Sequence, residues 1–213
     1  SHAAAGFETP LGVAPLDREF LARLEERYPF VRPNEAAHRQ EHAIEVEIPF
    51  LQAALGGGFR LVPLVLWDQG AEACRRLAGA LAQLIEEEER EAPPSAAAPA
   101  APATARGATL IVASSDLYHG PSHKECLESD QRTIRLIESG DAEGLIEAVE
   151  AGGAMACGYG PVAAALMAAR ALGADRVHAL GHTTSADQVP LGRDYVVGYL
   201  SAAVYSGGKR KEG

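Results

Sequence analysis

The sequence predicts an α/β fold with a mostly parallel or mixed central sheet that carries helices on both faces. Short apolar segments have the length and composition of buried strands, and they lie at residues 60–67, 108–113, 176–182 and 195–205. Segments with helical spacing of apolar residues alternate with them, at residues 70–91, 123–139, 141–151 and 161–173. This alternation is typical of a parallel sheet whose two faces are both covered.

The N-terminal third of the chain is less regular. A helix is predicted over residues 15–27, with Pro15 in its first turn. Residues 43–55 are ambiguous, because their apolar positions fit both a strand and one face of a helix. We favour a helix there, kinked at Pro49, because the helical pattern continues beyond the proline.

Length and composition predict one domain over residues 1–213. The chain has 213 residues, of which 47% are hydrophobic, enough for one sizeable core. Residues 92–107 form a Pro/Ala-rich insertion of low complexity without a large apolar side chain. We expect this insertion to be a mobile surface segment, because its composition cannot offset the entropy cost of ordering.

Charge and cysteine content narrow the class of protein and its compartment. The formal net charge is −10, from 29 acidic and 19 basic residues, whereas a nucleic-acid-binding protein usually carries a basic face. The three cysteines form no disulfide framework, which suits a reducing compartment. Without a recognisable signal peptide or an apolar segment long enough to span a bilayer, the cytoplasm is the expected location.

The first candidate site motif follows the predicted strand at 108–113. It contains Asp116 and His119, a carboxylate and an imidazole, the usual pair for proton transfer or for binding a metal. Ligands of open α/β sheets bind at the carboxyl ends of strands, where this motif lies. By spacing alone, a capping Asp116 and an ordinary surface His119 explain the motif equally well.

The second candidate is Cys157, ahead of a predicted helix whose first turn contains Pro161. A cysteine near a helix N-terminus is favoured as a thiolate, which serves as a nucleophile or as a metal ligand. A small buried residue beside a glycine turn is the commoner fate of such a cysteine.

The third candidate is the pair Glu41 and His42, although a capping role for His42 is the better interpretation of its position. The remaining histidines, His38, His123, His178 and His182, are expected to have no part in a site. Cys74 and Cys126 lie in predicted helices and are expected to pack in the core. The sequence has no phosphate-binding glycine loop, zinc-binding HExxH helix, paired CxxC or G-x-S-x-G elbow.

A family resemblance rests on five segments and on their order along the chain. They are FETPLG at 7–12, EHAIEVEIPFLQ at 41–52, IVASSDLYHG at 111–120, MACGYGPVAAALMAARALGA at 155–174 and DYVVGYLSAA at 194–203. Together they resemble the Memo-like family, known in prokaryotes as AmmeMemoRadiSam system protein B. The resemblance extends from Phe7 to about Val204.

The resemblance implies a fold related to the class III extradiol dioxygenases, whose active site holds non-haem iron. It implies that Cys157 is a metal ligand and that Asp116 and His119 line the pocket, with Glu41 and His42 as the family's Glu-His pair. It further implies iron or copper as cofactor, a redox or oxygen-related activity and an accessory role to a radical SAM enzyme. A small molecule or a peptide is the expected pocket ligand, and neither nucleic acid nor a membrane is expected as a partner.

The chain departs from the family pattern at its start. The family begins with a strand ending in Pro-His-Ala-Gly, which carries a histidine ligand, and this segment does not occur here. Ser1-His2 echoes a second family ligand, so the resemblance implies His2 as the third ligand of the predicted site. We therefore expect the N-terminal strand or strands of the fold to be missing. The alternative function is a binding or scaffold module that uses the same pocket for a peptide or small anion without turnover.

Overall fold

The structure, a computed structural model, describes residues 6–39, 41–56, 58–91, 109–188 and 195–207. It divides the chain into two compact units, Ser1–Trp67 and Asp68–Gly213. Both the insertion at 92–107 and His2 lie outside the described residues. The single domain over residues 1–213 stays a prediction.

The first unit combines a hairpin with short helices. Its elements are β1 (Gly6–Thr9), β2 (Gly12–Pro15), α1 (Arg18–Arg27), α2 (Glu35–Arg39) and α3 (Ile48–Leu55). β1 and β2 pair antiparallel. Helix α1 begins later than predicted because Asp17 is its N-cap and accepts a hydrogen bond from the Phe20 N–H at 3.1 Å. Pro15 therefore ends a strand and does not open the helix.

Helix α3 confirms the helical interpretation of residues 43–55, but only for their second half. A turn occupies residues 43–47, and the helix begins at Ile48. Pro49 lies in the first turn, where its missing N–H has no intrahelical acceptor to lose. The predicted kink is therefore wrong: the proline marks where the helix starts.

The second unit contains four long helices and a small sheet. Its elements are α4 (Ala71–Glu91), β3 (His119–Gly120), α5 (His123–Glu138), α6 (Ala142–Glu150), α7 (Tyr159–Ala171), β4 (Arg176–Thr184), α8 (Ser185–Gln188) and β5 (Val196–Tyr205). The sequence predicted the four long helices and both long strands within two residues at each end.

Helix α7 packs against both α4 and α6 around an apolar core. Helix α4 buries a stripe with helical spacing, made of Cys74, Leu77, Ala78, Leu81, Leu84 and Ile85. Helix α7 buries mainly alanines, including Ala163, Ala164 and Ala168. Because alanine is small, α7 can lie close to its neighbours, and this close packing fixes the position of its N-terminus.

The sheet corrects the predicted topology. The strand order is β3-β5-β4, and both pairings are antiparallel. Residues 109–113 form no strand, and Leu110 is 67% exposed. Residues 60–67 contribute an isolated parallel bridge between Leu16 and Leu61. The α/β class is confirmed, but the strands predicted at these two segments are wrong for the described residues. An apolar run shows that burial is favourable without showing which partner strand supplies it.

Among the residues that the structure describes, no helix is both long and apolar enough to cross a bilayer. The longest, α4, has a charged outer face that includes Glu86 and Glu89. Its apolar residues are confined to the side that packs in the core.

Strand β5 passes unusually close to helix α5 at Gly198. The Gly198 carbonyl accepts from the Leu117 N–H at 2.9 Å, and the Gly198 N–H donates to the Tyr118 carbonyl at 2.8 Å. The carboxylate of Asp130, on α5, occupies the space that a side chain at 198 would need. A residue without Cβ is therefore required where the strand, the helix and residues 117–118 meet.

We predict that Gly198→Ala destabilises the protein by about 3 kcal/mol, because the new methyl group must displace a buried carboxylate. Gly181→Ala on β4 is the matched control, since a Cβ there meets nothing within 4 Å. Urea unfolding of both variants measures the free energy of unfolding. A Gly198→Ala variant as stable as Gly181→Ala would show that the strand and helix do not approach this closely.

Candidate functional site

Two loops of the second unit run side by side and carry three of the predicted site residues. We call residues 115–119 the DLYH loop and residues 153–158 the cysteine loop. The Asp116 N–H donates to Cys157 Sγ at 3.2 Å, and the Cys157 N–H donates to the Asp116 carbonyl at 3.0 Å. Further along, the His119 N–H donates to Met155 Sδ at 3.4 Å. The structure thus brings the segments of Asp116, His119 and Cys157 together.

Gly158 allows the two loops to approach. Its N–H donates to Ser115 Oγ at 2.8 Å, and a Cβ at this position would lie 2.6 Å from the Ser114 carbonyl oxygen. The Ser115 hydroxyl in turn donates to the Asp116 carbonyl at 2.8 Å. One serine side chain therefore bridges the backbones of both loops.

Cys157 is the exposed cysteine of this arrangement. It immediately precedes Gly158, the N-cap of α7, as its place in the sequence predicted. Its sulfur accepts the Asp116 N–H and lies 3.7 Å from Ser115 Oγ. The Cys157 carbonyl accepts from Gln69 Nε2 at 3.1 Å. Both ends of the residue are held, so the sulfur has a fixed position at the surface.

The imidazole of His119 is oriented by the backbone. Its Nδ1 lies 3.2 Å from the Leu117 carbonyl. A carbonyl can only accept, so a hydrogen bond here requires the proton on Nδ1 and leaves Nε2 as an acceptor. Histidines that bind metals commonly have their second nitrogen fixed in this way.

The side chain of Asp116 is exposed and lies near strand β5. Burial of the phenol, together with the negative charge of Asp116, raises the pKa of Tyr199. An exposed carboxylate beside a phenol that keeps its proton can accept a proton from a bound molecule.

Glu41 and His42 lie in the first unit, and both are exposed. Glu41 Oε1 accepts from the Ala43 N–H at 2.9 Å, so the glutamate caps the turn that leads to α3. His42 Nδ1 lies 2.7 Å from Glu45 Oε1. The capping role that the sequence suggested for His42 belongs to its neighbour Glu41.

Sequence reasoning missed the polar side chains of α5 that hold both loops. Asp130 Oδ1 accepts from the Tyr118 N–H at 3.0 Å, in the DLYH loop. Thr133 Oγ1 donates to the Met155 carbonyl at 3.3 Å, in the cysteine loop. Asp130 and Thr133 are fully buried, on the same helical face as Cys126 and Ile137. The sequence did carry a signal for them: Asp130 and Thr133 are polar residues four and seven positions after Cys126, on a helical face that is otherwise apolar, and buried polar groups need hydrogen-bond partners.

His182, expected from the sequence to have no part in a site, is tied to this arrangement. Its Nε2 lies 2.7 Å from Asp130 Oδ2. The carboxylate of Asp130 is therefore shared between a loop amide and an imidazole of strand β4.

The other two cysteines pack in the core, as the sequence predicted, and both are fully buried. Burial, reinforced by the charge of Asp68, raises the pKa of the Cys74 thiol. Burial and the neighbouring Asp130 carboxylate raise the pKa of the Cys126 thiol to about 12. Neither thiol is available as a thiolate near neutral pH.

Within the part of the chain that the structure describes, no group of three or more His, Cys, Asp or Glu side chains is placed to hold a metal ion. Two of the predicted ligands lie among the described residues: Cys157, which is exposed, and His119, whose Nδ1 lies against the Leu117 carbonyl. His2, the third predicted ligand, lies outside the described residues.

Comparison with known proteins decides the family. A family model described as Memo-like protein matches residues 2–203, which include both loops and helix α5. The chain belongs to the Memo-like family. This confirms the resemblance drawn from the sequence motifs.

Two curated relatives in this family come from Saccharolobus solfataricus and Methanopyrus kandleri. The chain is 34% identical over 196 residues to a MEMO1 family protein of Saccharolobus solfataricus, with 92% of this chain and 63% of the relative covered. It is 33% identical over 197 residues to a MEMO1 family protein of Methanopyrus kandleri, with 92% and 62% covered. The chain thus spans less than two thirds of the length of these Memo-like relatives.

We predict that a soluble thiol reagent at about pH 8 modifies one cysteine of the native chain and all three after denaturation. Cys157 reacts because it is exposed. Cys74 and Cys126 stay protonated, because a raised pKa means that the folded chain holds their protons at this pH. Mass spectrometry of the labelled protein identifies the site, and Cys157→Ser should label at none. Labelling of two or more cysteines in the native chain would contradict the burial described here.

Proposed function

We propose that this Memo-like chain binds a non-haem metal, iron or copper, at a site centred on Cys157, for redox or oxygen-related chemistry. The main support is the exposed sulfur of Cys157, whose position is fixed by the Asp116 N–H. A thiolate is a soft donor, which selects copper(I) and iron among the metals available to proteins. The family resemblance assigns the same residue as a metal ligand.

The second ligand in this proposal is His119, through its free Nε2. The Leu117 carbonyl orients the ring as metal-bound histidines are commonly oriented. These two donor types fit iron or copper, and His2 is the proposed third ligand. A bound iron or copper ion supplies one-electron chemistry and an open position for a small molecule.

Asp116 has a separate role in the proposal. Its carboxylate is exposed at the rim of the loops, near Tyr199. We assign it the transfer of a proton from a bound molecule, the task for which an accessible carboxylate is suited. Glu41 and His42 belong to the first unit, and a part in the same site stays a prediction of the resemblance.

The alternative is a binding or scaffold module that holds a small anion at the N-terminus of α7. Backbone N–H groups at a helix N-terminus attract anions only where they remain free. Here the Gly158 N–H donates to Ser115 and the Gly160 N–H to Gln69, and Pro161 has no N–H. Most donors of this turn are already used, so we favour the metal proposal over an anion site.

The family resemblance also predicts an extradiol-dioxygenase-like architecture and an accessory role to a radical SAM enzyme. Both concern the longer family members, of which this chain spans 63% in the Saccharolobus relative. They remain proposals for the chain, and the metal site is the part that its own loops support.

We predict that Cys157→Ser weakens binding of iron(II) and copper(I) by at least about tenfold, because loss of even an outer hydrogen-bond partner costs about 10–100-fold in metal affinity. Anaerobic competition with a chromophoric chelator measures both affinities. The serine keeps the size of the side chain but loses the soft donor.

Cys74→Ser is the matched control. Its thiol is buried and donates to the Gln69 and Gly160 carbonyls, which a hydroxyl can also reach. Binding should therefore match that of the unmodified chain. Equal metal binding by Cys157→Ser and Cys74→Ser would remove Cys157 from the site and leave the binding-module alternative.

A further inference from the structure

Asp130 on α5 is a charged side chain without solvent exposure. Its carboxylate makes three contacts: with the Tyr118 N–H at 3.0 Å, with the Cys126 thiol at 3.4 Å and with His182 Nε2 at 2.7 Å. A buried carboxylate is costly unless such donors satisfy it, and the shortest of these contacts is the one to the imidazole.

His182 is held by this carboxylate while remaining open to solvent. Its side chain is 27% exposed, on strand β4. A carboxylate only accepts, so Nε2 of the imidazole donates to it. No other described residue makes a hydrogen bond to the His182 side chain.

The same carboxylate fixes the DLYH loop. Tyr118, whose N–H it binds, stands between Leu117 and His119, and Leu117 also orients the His119 ring through its carbonyl. Two residues before Tyr118, the Asp116 N–H fixes the Cys157 sulfur. A continuous path of hydrogen bonds and backbone therefore runs from His182 through Asp130 to both proposed metal ligands.

We propose that Asp130 and His182 are positioning residues of the Cys157 site: His182 holds the Asp130 carboxylate, and the carboxylate holds the DLYH loop against the cysteine loop. The effect of these residues on metal binding rests on the proposed function, but their hold on the two loops can be tested without metal. Neither residue touches the proposed metal. Their effect is to keep the Asp116 N–H on the Cys157 sulfur and the His119 ring in place.

The test compares three substitutions on strand β4. His182→Phe keeps a planar ring but removes the donor to Asp130. His182→Gln keeps an N–H donor that can reach the carboxylate. His178→Phe is the matched control, because His178 is an exposed histidine of the same strand, outside the contacts of Asp130.

The measured quantity is the hydrogen-exchange rate of the Asp116 and Tyr118 amides in the folded, metal-free chain, with thiol labelling of Cys74 and Cys126 alongside. We expect both amides to exchange about tenfold faster in His182→Phe, because a hydrogen bond to a charged group no longer opposes opening of the loop. His182→Gln and His178→Phe should stay close to the unmodified chain. Cys74 and Cys126 report global unfolding, so their labelling should remain slow in all four proteins.

Different outcomes separate this inference from the proposed function. Unchanged exchange at Asp116 and Tyr118 in a folded His182→Phe variant overturns the positioning role, whatever the metal affinity. Faster exchange at these amides in a chain that binds no iron or copper supports the positioning role and refutes the proposed function. Faster labelling of Cys74 and Cys126 in His182→Phe means that His182 supports the whole fold and not the loop, which also overturns the inference.

A second measurement needs no variant and therefore holds even if His182→Phe does not fold. Nitrogen NMR of the unmodified chain identifies which ring nitrogen of His182 carries the proton in the neutral form. The geometry requires a protonated Nε2 bonded to Asp130. A neutral ring protonated at Nδ1 alone would show that the pair does not exist.

Discussion

The buried carboxylate of Asp130 is the interaction on which the arrangement of the second unit depends. It lies at the meeting point of helix α5, strands β4 and β5 and the DLYH loop. A charge in this position must be fully satisfied, and the chain supplies the donors from three different segments. Because each donor has one suitable position, the carboxylate specifies where the segments lie relative to one another.

The second constraint is that two positions, 158 and 198, have no room for a side chain. Gly198 leaves room for the carboxylate, and Gly158 lets the cysteine loop reach Ser114 and Ser115. The alanines of α7 bring its N-terminus close to the start of α4, and Gln69, two residues before α4, accepts the Gly160 N–H. The exposed thiol of Cys157 therefore rests on closely packed backbone, which explains how a surface residue can have a defined geometry.

The sequence predicted those features that follow from the spacing of apolar residues and from the order of short motifs along the chain. Helices α4 to α7 and strands β4 and β5 follow from their apolar spacing, and the ordered motifs identified the Memo-like family. Strand pairing did not follow, because residues 110–113 are apolar and yet pair with no strand among the described residues. The roles of Asp130 and His182 were missed because a contact across 52 residues leaves no periodic trace, and a histidine on a strand looks ordinary by itself.

We expect the Asp130 carboxylate to hold the DLYH loop as firmly as a strand is held. Amide hydrogen exchange of the native chain, followed by NMR, tests this at single residues. The Leu117 and Gly198 N–H groups bond to backbone carbonyls, whereas the Tyr118 N–H bonds to the side chain of Asp130. We expect the Tyr118 amide to exchange as slowly as the other two, because all three open together. Rapid exchange at Tyr118, with slow exchange at Leu117 and Gly198, would contradict the claim.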